Sequence, residues 1–402
     1  MDFLKLITLL LKYNIPFINR ESCIVEINNI FSINGAVWQK FAQFISQFGD
    51  IIGEDLAKSL EKLCFECPEH DYAYSARIIK DAFGDLYETK NMKMIGAGTI
   101  SQVYITTEKV SGRVVAIKVM HPNVKKEIKE ACDAYNSAKT SMFFPKRFAN
   151  ICAMFFSGLK EQLDMKREFK NAKKMREWLQ PPGRTNNKFI VPEMLNISKK
   201  CLVMSYEESR LAAKIDVDSF EHKEVLNIIS AMMAILIMAM ILNGHVHSDL
   251  HVGNWGMRNY ESLDTFQIVL YDFGQCSTIK CIDKRRHAAH GFITNNCEEI
   301  VLNSMPTELR PMILSKFTDD FASNVTHFGS CMLQHYQGGD DDILNIVLSW
   351  GKTKSTVNIK SALVNKYNCA DTSNYLTIHG RKDYFETHFP FVEFEDLKNL
   401  TT

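Results

Sequence analysis

Residues 228–242, IISAMMAILIMAMIL, are apolar on every side of a helix. A helix of this kind needs cover all round, so the chain must build a core about it. At 1.5 Å per residue the run spans about 22 Å, against the roughly 30 Å of a bilayer's hydrocarbon, and it reads as a buried core helix rather than a membrane span. HVHSDLHVGN, residues 245–254, follows directly and crowds His247, Asp249, His251 and Asn254 into one short polar segment. Two chemistries use such a cluster. Histidines and an aspartate can ligate zinc. In phosphoryl transfer, an Asp receives a hydroxyl proton and an Asn five residues on holds Mg²⁺.

The rest of the chain switches between two periods. Residues 1–90 place apolar side chains three and four apart, as in VWQKFAQFISQF and DLAKSLEKLC, and predict helices. From Met92 the pattern shortens to β-type runs, MKMIGAGTISQVYITT and RVVAIKVM, parted by the turn signal Ser111–Gly112. Helical spacing returns near 124 and persists to about 180, where ProProGly at 181–183 breaks it. Two more β-type runs follow, NKFIVPEML and KKCLVMSY, and then a helical region over 217–243. HVHSDLHVGN reads as a loop and FQIVLYDFG as a strand entering a turn. From 283 the chain reads as mainly helical, with a surface loop at Gly338-Gly339-Asp340-Asp341-Asp342. Strands first and helices after them predict an α+β fold of two lobes behind a helical extension.

Composition removes several partners. The 402 residues carry 47 basic and 47 acidic side chains, so no net field recruits nucleic acid or an anionic membrane. LysLysGluIleLysGlu at 125–130 alternates in sign, as a solvated helix face does. The eleven cysteines lack a framework spacing, which predicts reduced thiols in an intracellular compartment. CysPheGluCys at 64–67 has no second pair to complete a structural zinc site. The start, MDFLKLITLLLKYNIPF, has no small-residue cleavage site and none of the Arg- and Ser-rich character of a transit peptide. An amphipathic helix packed on the protein is expected there, and a cytoplasmic rather than a mitochondrial address.

Three further pieces decide between zinc and phosphoryl transfer. Gly96-Ala97-Gly98-Thr99-Ile100-Ser101 lies between two predicted strands, where small residues let backbone N–H groups approach phosphates. ValAlaIleLys at 115–118 places Lys118 on the third strand, and AspPheGly at 272–274 ends an apolar strand. Each is common alone. A glycine hairpin, VAIK, an acidic helix, HxDxxxxN and DFG in this order form the signature set of protein kinases. In that scheme Lys118 grips the α- and β-phosphates, Asn254 and Asp272 hold Mg²⁺, and Asp249 faces the acceptor. His247 orients the loop. The ordered set favours phosphoryl transfer over zinc.

His251 and Gly253 within HisSerAspLeuHisValGlyAsn are not typical of protein kinases. HxDxHxGN is shared by aminoglycoside and choline phosphotransferases and by the UbiB family, also called ABC1 or ADCK. LysPheAlaGlnPheIleSer at 40–46 resembles that family's KxGQxxS motif, with Lys40, Gln43 and Ser46 in place and Ala42 where the family has Gly. GlnLeuAspMetLysArgGlu at 162–168 resembles its ExD segment, with Asp164 kept and Gln162 in place of the first Glu. Glu168 stands where the family has the helix Glu that pairs with the strand Lys. The resemblance runs from about residue 30 to about 285 and is specific; the C-terminal third carries no matching motif.

This resemblance implies a bilobal protein kinase-like fold. Residues 1–90 would form a helical KxGQ-type extension over the active site, 91–208 an N-lobe with inserted helices, and 209–402 a helical C-lobe. It implies binding of ATP or ADP with Mg²⁺, and ATPase or small-molecule or lipid phosphotransferase activity. Asp249, Lys118 and Glu168 are then the catalytic set. Gly96, Ala97, Gly98, Thr99, Ser101, Lys118, Lys40, Gln43 and Glu207 bind the nucleotide, and Asn254, Asp272 and Asp164 the metal. Two departures stand out. The family's Ala-Ala-Ala-Ser loop is here Gly96-Ala97-Gly98-Thr99, which leaves the choice between ATP and ADP open, and Gln162 lacks the charge of the ExD Glu. A conventional Ser/Thr protein kinase and a nucleotide-binding pseudokinase scaffold remain as alternatives.

Overall fold

The computed structural model describes residues 3–13, 19–46, 49–61, 69–140, 146–182, 188–214, 232–233, 236–237, 239–250, 253–259, 265–293, 298 and 310–315. The chain forms two compact units. The first comprises Met1–Phe169 with Met194–Tyr206; the second holds Lys170–Glu193 and the described residues from Glu207 onward.

The first unit begins with helices α1 (Phe3–Tyr13), α2 (Arg20–Ile33), α3 (Ala36–Ile45), α4 (Gly49–Ile52), α5 (Glu54–Glu61) and α6 (Tyr72–Phe83), as the helical spacing predicts. Leu6, Ile7, Leu9, Leu10 and Tyr13 bury one face of α1. Side-chain caps start α2 and α6: Asn19 Oδ1 accepts from the Ser22 N–H and Asp71 Oδ1 from the Ala73 N–H, both at 3.2 Å. The region read as continuously helical holds three helices, α7 (Val124–Ala138), α8 (Lys146–Gln162) and α9 (Met165–Leu179). The alternating charges of 125–130 are exposed on α7, while Val124, Ile128, Ala131 and Tyr135 turn inward. An aromatic cluster ties α3 to α7 and α8: Phe41 lies 4.9 Å from Phe155 and 5.9 Å from Trp38 and Phe156, and Tyr135 stacks on Phe156 at 5.4 Å.

The unit's sheet is antiparallel throughout. β1 (Lys93–Ala97), β2 (Ser101–Thr107), β3 (Val114–Met120), β5 (Met194–Ile197) and β6 (Cys201–Ser205) run in the order β1-β2-β3-β6-β5. Alternation along β3 turns Val115, Ile117 and Val119 into a core with Ile79 of α6, Tyr87, Tyr104 and Val203. Ala116, Lys118 and Met120 therefore line the opposite face.

The second unit pairs β4 (Phe189–Ile190), β7 (Arg210–Leu211), β9 (Trp255–Arg258) and β10 (Gln267–Leu270) in the order β4-β10-β9-β7, with β4 parallel to β10. Of the apolar run at 228–242, the described residues Met232, Met233, Leu236, Ile237, Ala239, Met240 and Ile241 are buried. No helix among the described residues is long and apolar enough to cross a membrane. Gly244 stops this helix at φ 77°, its N–H shared between the Met240 and Ile241 carbonyls. A Cβ there would run into the Arg285 guanidinium.

HVHSDLHVGN departs from the loop expected. Its first three residues form β8 (His245–His247), antiparallel to β11 (Cys276–Thr278). Three residues are too few to show alternation, and the partner comes only after the AspPheGly turn. Helices Ile282–Ile293 and Arg310–Leu314 follow. CysPheGluCys at 64–67, His251 and the expected loop at 338–342 lie outside the described residues.

Candidate active site

In the first unit Lys118 and Glu168 meet. Lys118 Nζ donates to Glu168 Oε1 at 2.7 Å and to Oε2 at 3.0 Å, with the side chains 11% and 4% exposed. β3 presents the lysine on the face away from the α6 core, and the first turn of α9 presents the carboxylate. Asp164 caps that helix: its Oδ1 accepts from the Lys166 and Arg167 N–H groups at 3.0 and 3.3 Å. On α3, Phe41, Ala42 and Ile45 are fully buried, Lys40 is half-buried and Gln43 is exposed. Lys40 Nζ donates to Gln162 Oε1 at 2.9 Å, so the residue that replaces the ExD glutamate is the one Lys40 reaches.

Gly96 and Ala97 lie in β1 opposite Val103 and Gln102, and the Gly98 N–H closes the hairpin on the Ser101 carbonyl at 2.8 Å. A Cβ added at Gly96 would meet nothing, and one at Gly98 would come no nearer than 3.8 Å to that carbonyl. Protein packing does not demand either glycine. Ser101 is buried at the start of β2, next to the tip residues Thr99 and Ile100.

In the second unit a network of hydrogen bonds laces the Asp249 loop to the Asp272 turn. His247 Nε2–H donates to the Tyr271 carbonyl at 2.8 Å, and His247 Nδ1 accepts from the Asp249 N–H at 3.2 Å. Both ring nitrogens are committed to backbone, which fixes the tautomer and leaves neither for zinc. Asn254 Nδ2 donates to the Asp249 carbonyl, and the Tyr271 N–H to the Asn254 carbonyl, each at 2.8 Å. Asn254 Oδ1 is the remaining acceptor of that side chain. Asp272 sits at φ 53°, where few residues other than Gly settle, and its Oδ1 accepts from the Gly274 N–H at 3.3 Å. Phe273 is buried, its ring 5.1 Å from that of His247 and its carbonyl bound by Asn171 Nδ2 at 3.0 Å. Among the described residues no three His, Cys, Asp or Glu side chains gather as a metal cluster.

Glu207 is engaged by its own unit. Its Oε2 accepts from Arg258 Nη1 and its carbonyl from the Tyr271 hydroxyl, both at 2.9 Å. Sequence reasoning missed Arg258, and it missed a pair of histidines, His70 and His121, that meets behind the glycine hairpin. Nothing local signals either partnership, because 51 positions separate each pair.

A lysine held by a helix carboxylate on an antiparallel sheet, and an Asp249 loop bound to an AspPheGly turn, place the chain among the protein kinase-like folds. More narrowly, residues 64–301 match the ABC1 atypical kinase-like domain, and the chain belongs to that family. It is similar to the probable serine/threonine-protein kinase abkC of Dictyostelium discoideum, 25% identical over 58% of this chain and 35% of the relative. It is likewise similar to the ABC1 family protein MCP2 homolog of Schizosaccharomyces pombe, 27% identical over 61% of this chain and 46% of the relative. The chain thus spans between about a third and a half of these curated relatives. Among solved structures it is similar to Rv3197 of Mycobacterium tuberculosis in complex with erythromycin. The identity is 14% and the TM-score 0.49, over 86% of this chain and 95% of the other.

Proposed function

We propose that this ABC1-family chain binds ATP with Mg²⁺ and transfers the γ-phosphoryl group to water or to the hydroxyl of a small molecule or lipid. The buried Lys118–Glu168 pair carries this reading. A desolvated ion pair contributes little net stability, so its cost is accounted for by a charge kept ready for an anionic ligand. Lys118 holds the α- and β-phosphates and Glu168 holds Lys118. The hairpin of Gly96, Ala97, Gly98, Thr99 and Ser101 receives the phosphates, and Lys40, Gln43 and Glu207 complete the nucleotide set.

Asn254 Oδ1 and the carboxylates of Asp272 and Asp164 are the hard oxygen donors that suit Mg²⁺. The ion, when bound, neutralises phosphate charge. Asp249 takes the acceptor's proton as the acceptor oxygen bonds to the γ-phosphorus and the bond to the β,γ-bridging oxygen breaks, releasing ADP. We assign 1–90 to the helical extension, 91–208 to the N-lobe with its inserted helices, and 209–402 to the C-lobe.

ATP with Mg²⁺ at about a hundred times its Kd is expected to stabilise the fold by about 2.7 kcal/mol. Thermal shift measures this. Asp272→Asn is expected to lose the Mg²⁺-dependent part, and a full shift in that variant would remove Asp272 from the metal site.

A further inference from the structure

The glycine hairpin is held from behind by side chains that the proposed function does not use. His121, just past β3, lies 2.7 Å by its Nε2 from the Gly98 carbonyl. A carbonyl only accepts, so this nitrogen carries the proton, and on a neutral ring His121 Nδ1 is an acceptor. His70 Nδ1–H donates to it at 2.6 Å. His70 Nε2 is then left to accept from the Ser75 hydroxyl on α6, also at 2.6 Å. Two backbone bonds run alongside: the His70 N–H donates to buried Gln102 at 2.5 Å, and the His121 N–H to the Ile100 carbonyl at 2.8 Å.

With both imidazoles neutral, this run of bonds has a single consistent assignment of protons. Burial, with the facing His121, lowers His70 to about 4, and burial also lowers His121. Asp71 beside His70 and Glu127 beside His121 pull the other way without prevailing. Gly98 has neither a positive φ nor a crowded Cβ position, so hydrogen bonds rather than sterics shape the tip. The Gly98 carbonyl and the Thr99 N–H belong to one planar trans peptide and point opposite ways. Holding the carbonyl on His121 therefore aims the Thr99 N–H away from it.

We propose that His121 and His70 are positioning residues for the nucleotide, clamping the Gly98–Thr99 peptide so that the hairpin is pre-formed for the phosphates. The proposal rests on reading this hairpin as the phosphate cradle. A tip ordered in advance spares the bound complex the entropy of ordering it.

The test uses the full chain, with amide hydrogen exchange at 98–101 and calorimetric Kd for ATP with Mg²⁺. His121→Ala and His70→Ala are expected to exchange faster at the tip and to bind about two- to tenfold more weakly, the range for one hydrogen bond. Turnover at saturating ATP should hold. His121→Gln keeps a donor for Gly98 and His70→Asn keeps one for His121, and both should restore exchange and affinity. If an alanine variant fails to fold, Ser75→Ala removes only the far end and should shift both readouts in the same direction by less. Unchanged exchange in these variants overturns the clamp, and faster exchange with intact affinity overturns the positioning role. A wild-type chain that binds no nucleotide sinks the proposed function and the positioning role with it, while the exchange data still report whether the clamp exists.

Discussion

Lys118 and Glu168 lie 2.7 Å apart with almost no water around them, and desolvating both charges offsets most of what their attraction returns. Removing one partner strands the other. Glu168→Gln or Lys118→Met is expected to cost about 3–5 kcal/mol in chemical denaturation. The double change to Lys118→Met with Glu168→Leu should recover most of that loss, yet show no thermal shift with ATP. Recovery of stability together with a normal shift would separate the pair from the nucleotide. Two histidines weaken the fold on the acid side. Burial, with Lys174 adding to it, lowers His245 to about 4, matching His70. Both groups are more acidic folded than unfolded, so the unfolded chain binds the extra protons. The contribution of these two groups to stability should be full above about 6.5 and be lost as the pH drops toward 4; denaturation curves across that window check it. At this scale the motif residues are legible in the sequence because their spacing is local. The partners Gln162 for Lys40, Arg258 for Glu207 and His70 for His121 are set by the fold, and no spacing announces them.

Helix α9 shows how one residue can carry two readings. Asp164 caps its N-terminus with two backbone N–H groups on a single oxygen, and it is also a proposed metal ligand. Asp164→Ala is expected to cost about 1 kcal/mol through loss of the cap. Asn caps as well as Asp, so Asp164→Asn should leave stability unchanged while weakening Mg²⁺ dependence of the ATP shift. Mg²⁺ dependence untouched by that change would leave only the cap. The long elements were the readable ones: apolar spacing marks α1 to α3 and α5, and alternation marks β2 and β3. β7, β8, β9 and β11 span four residues at most and take their shape from neighbours distant in sequence, as His247 does opposite Cys276.

Chemistry and substrate choice belong to the whole molecule. Asp249→Asn keeps the side-chain shape and is expected to lower turnover by about 10²- to 10⁴-fold while leaving nucleotide affinity and melting temperature little changed. Single-turnover assays with labelled ATP read this directly, and full turnover by the variant would clear Asp249 of the role. In the same assay the intact chain should phosphorylate generic proteins negligibly; robust labelling of them would favour the conventional Ser/Thr kinase. The architecture also has a consequence for synthesis. β3 finds its second neighbour only at β6, where Lys118 pairs with Leu202, after α7, α8 and α9 have been made. Until that stretch leaves the ribosome, ValValAlaIleLysValMet presents an unpaired and largely apolar strand edge to other nascent chains. The interval between β3 and β6 is therefore where misassembly and chaperone engagement should concentrate during translation.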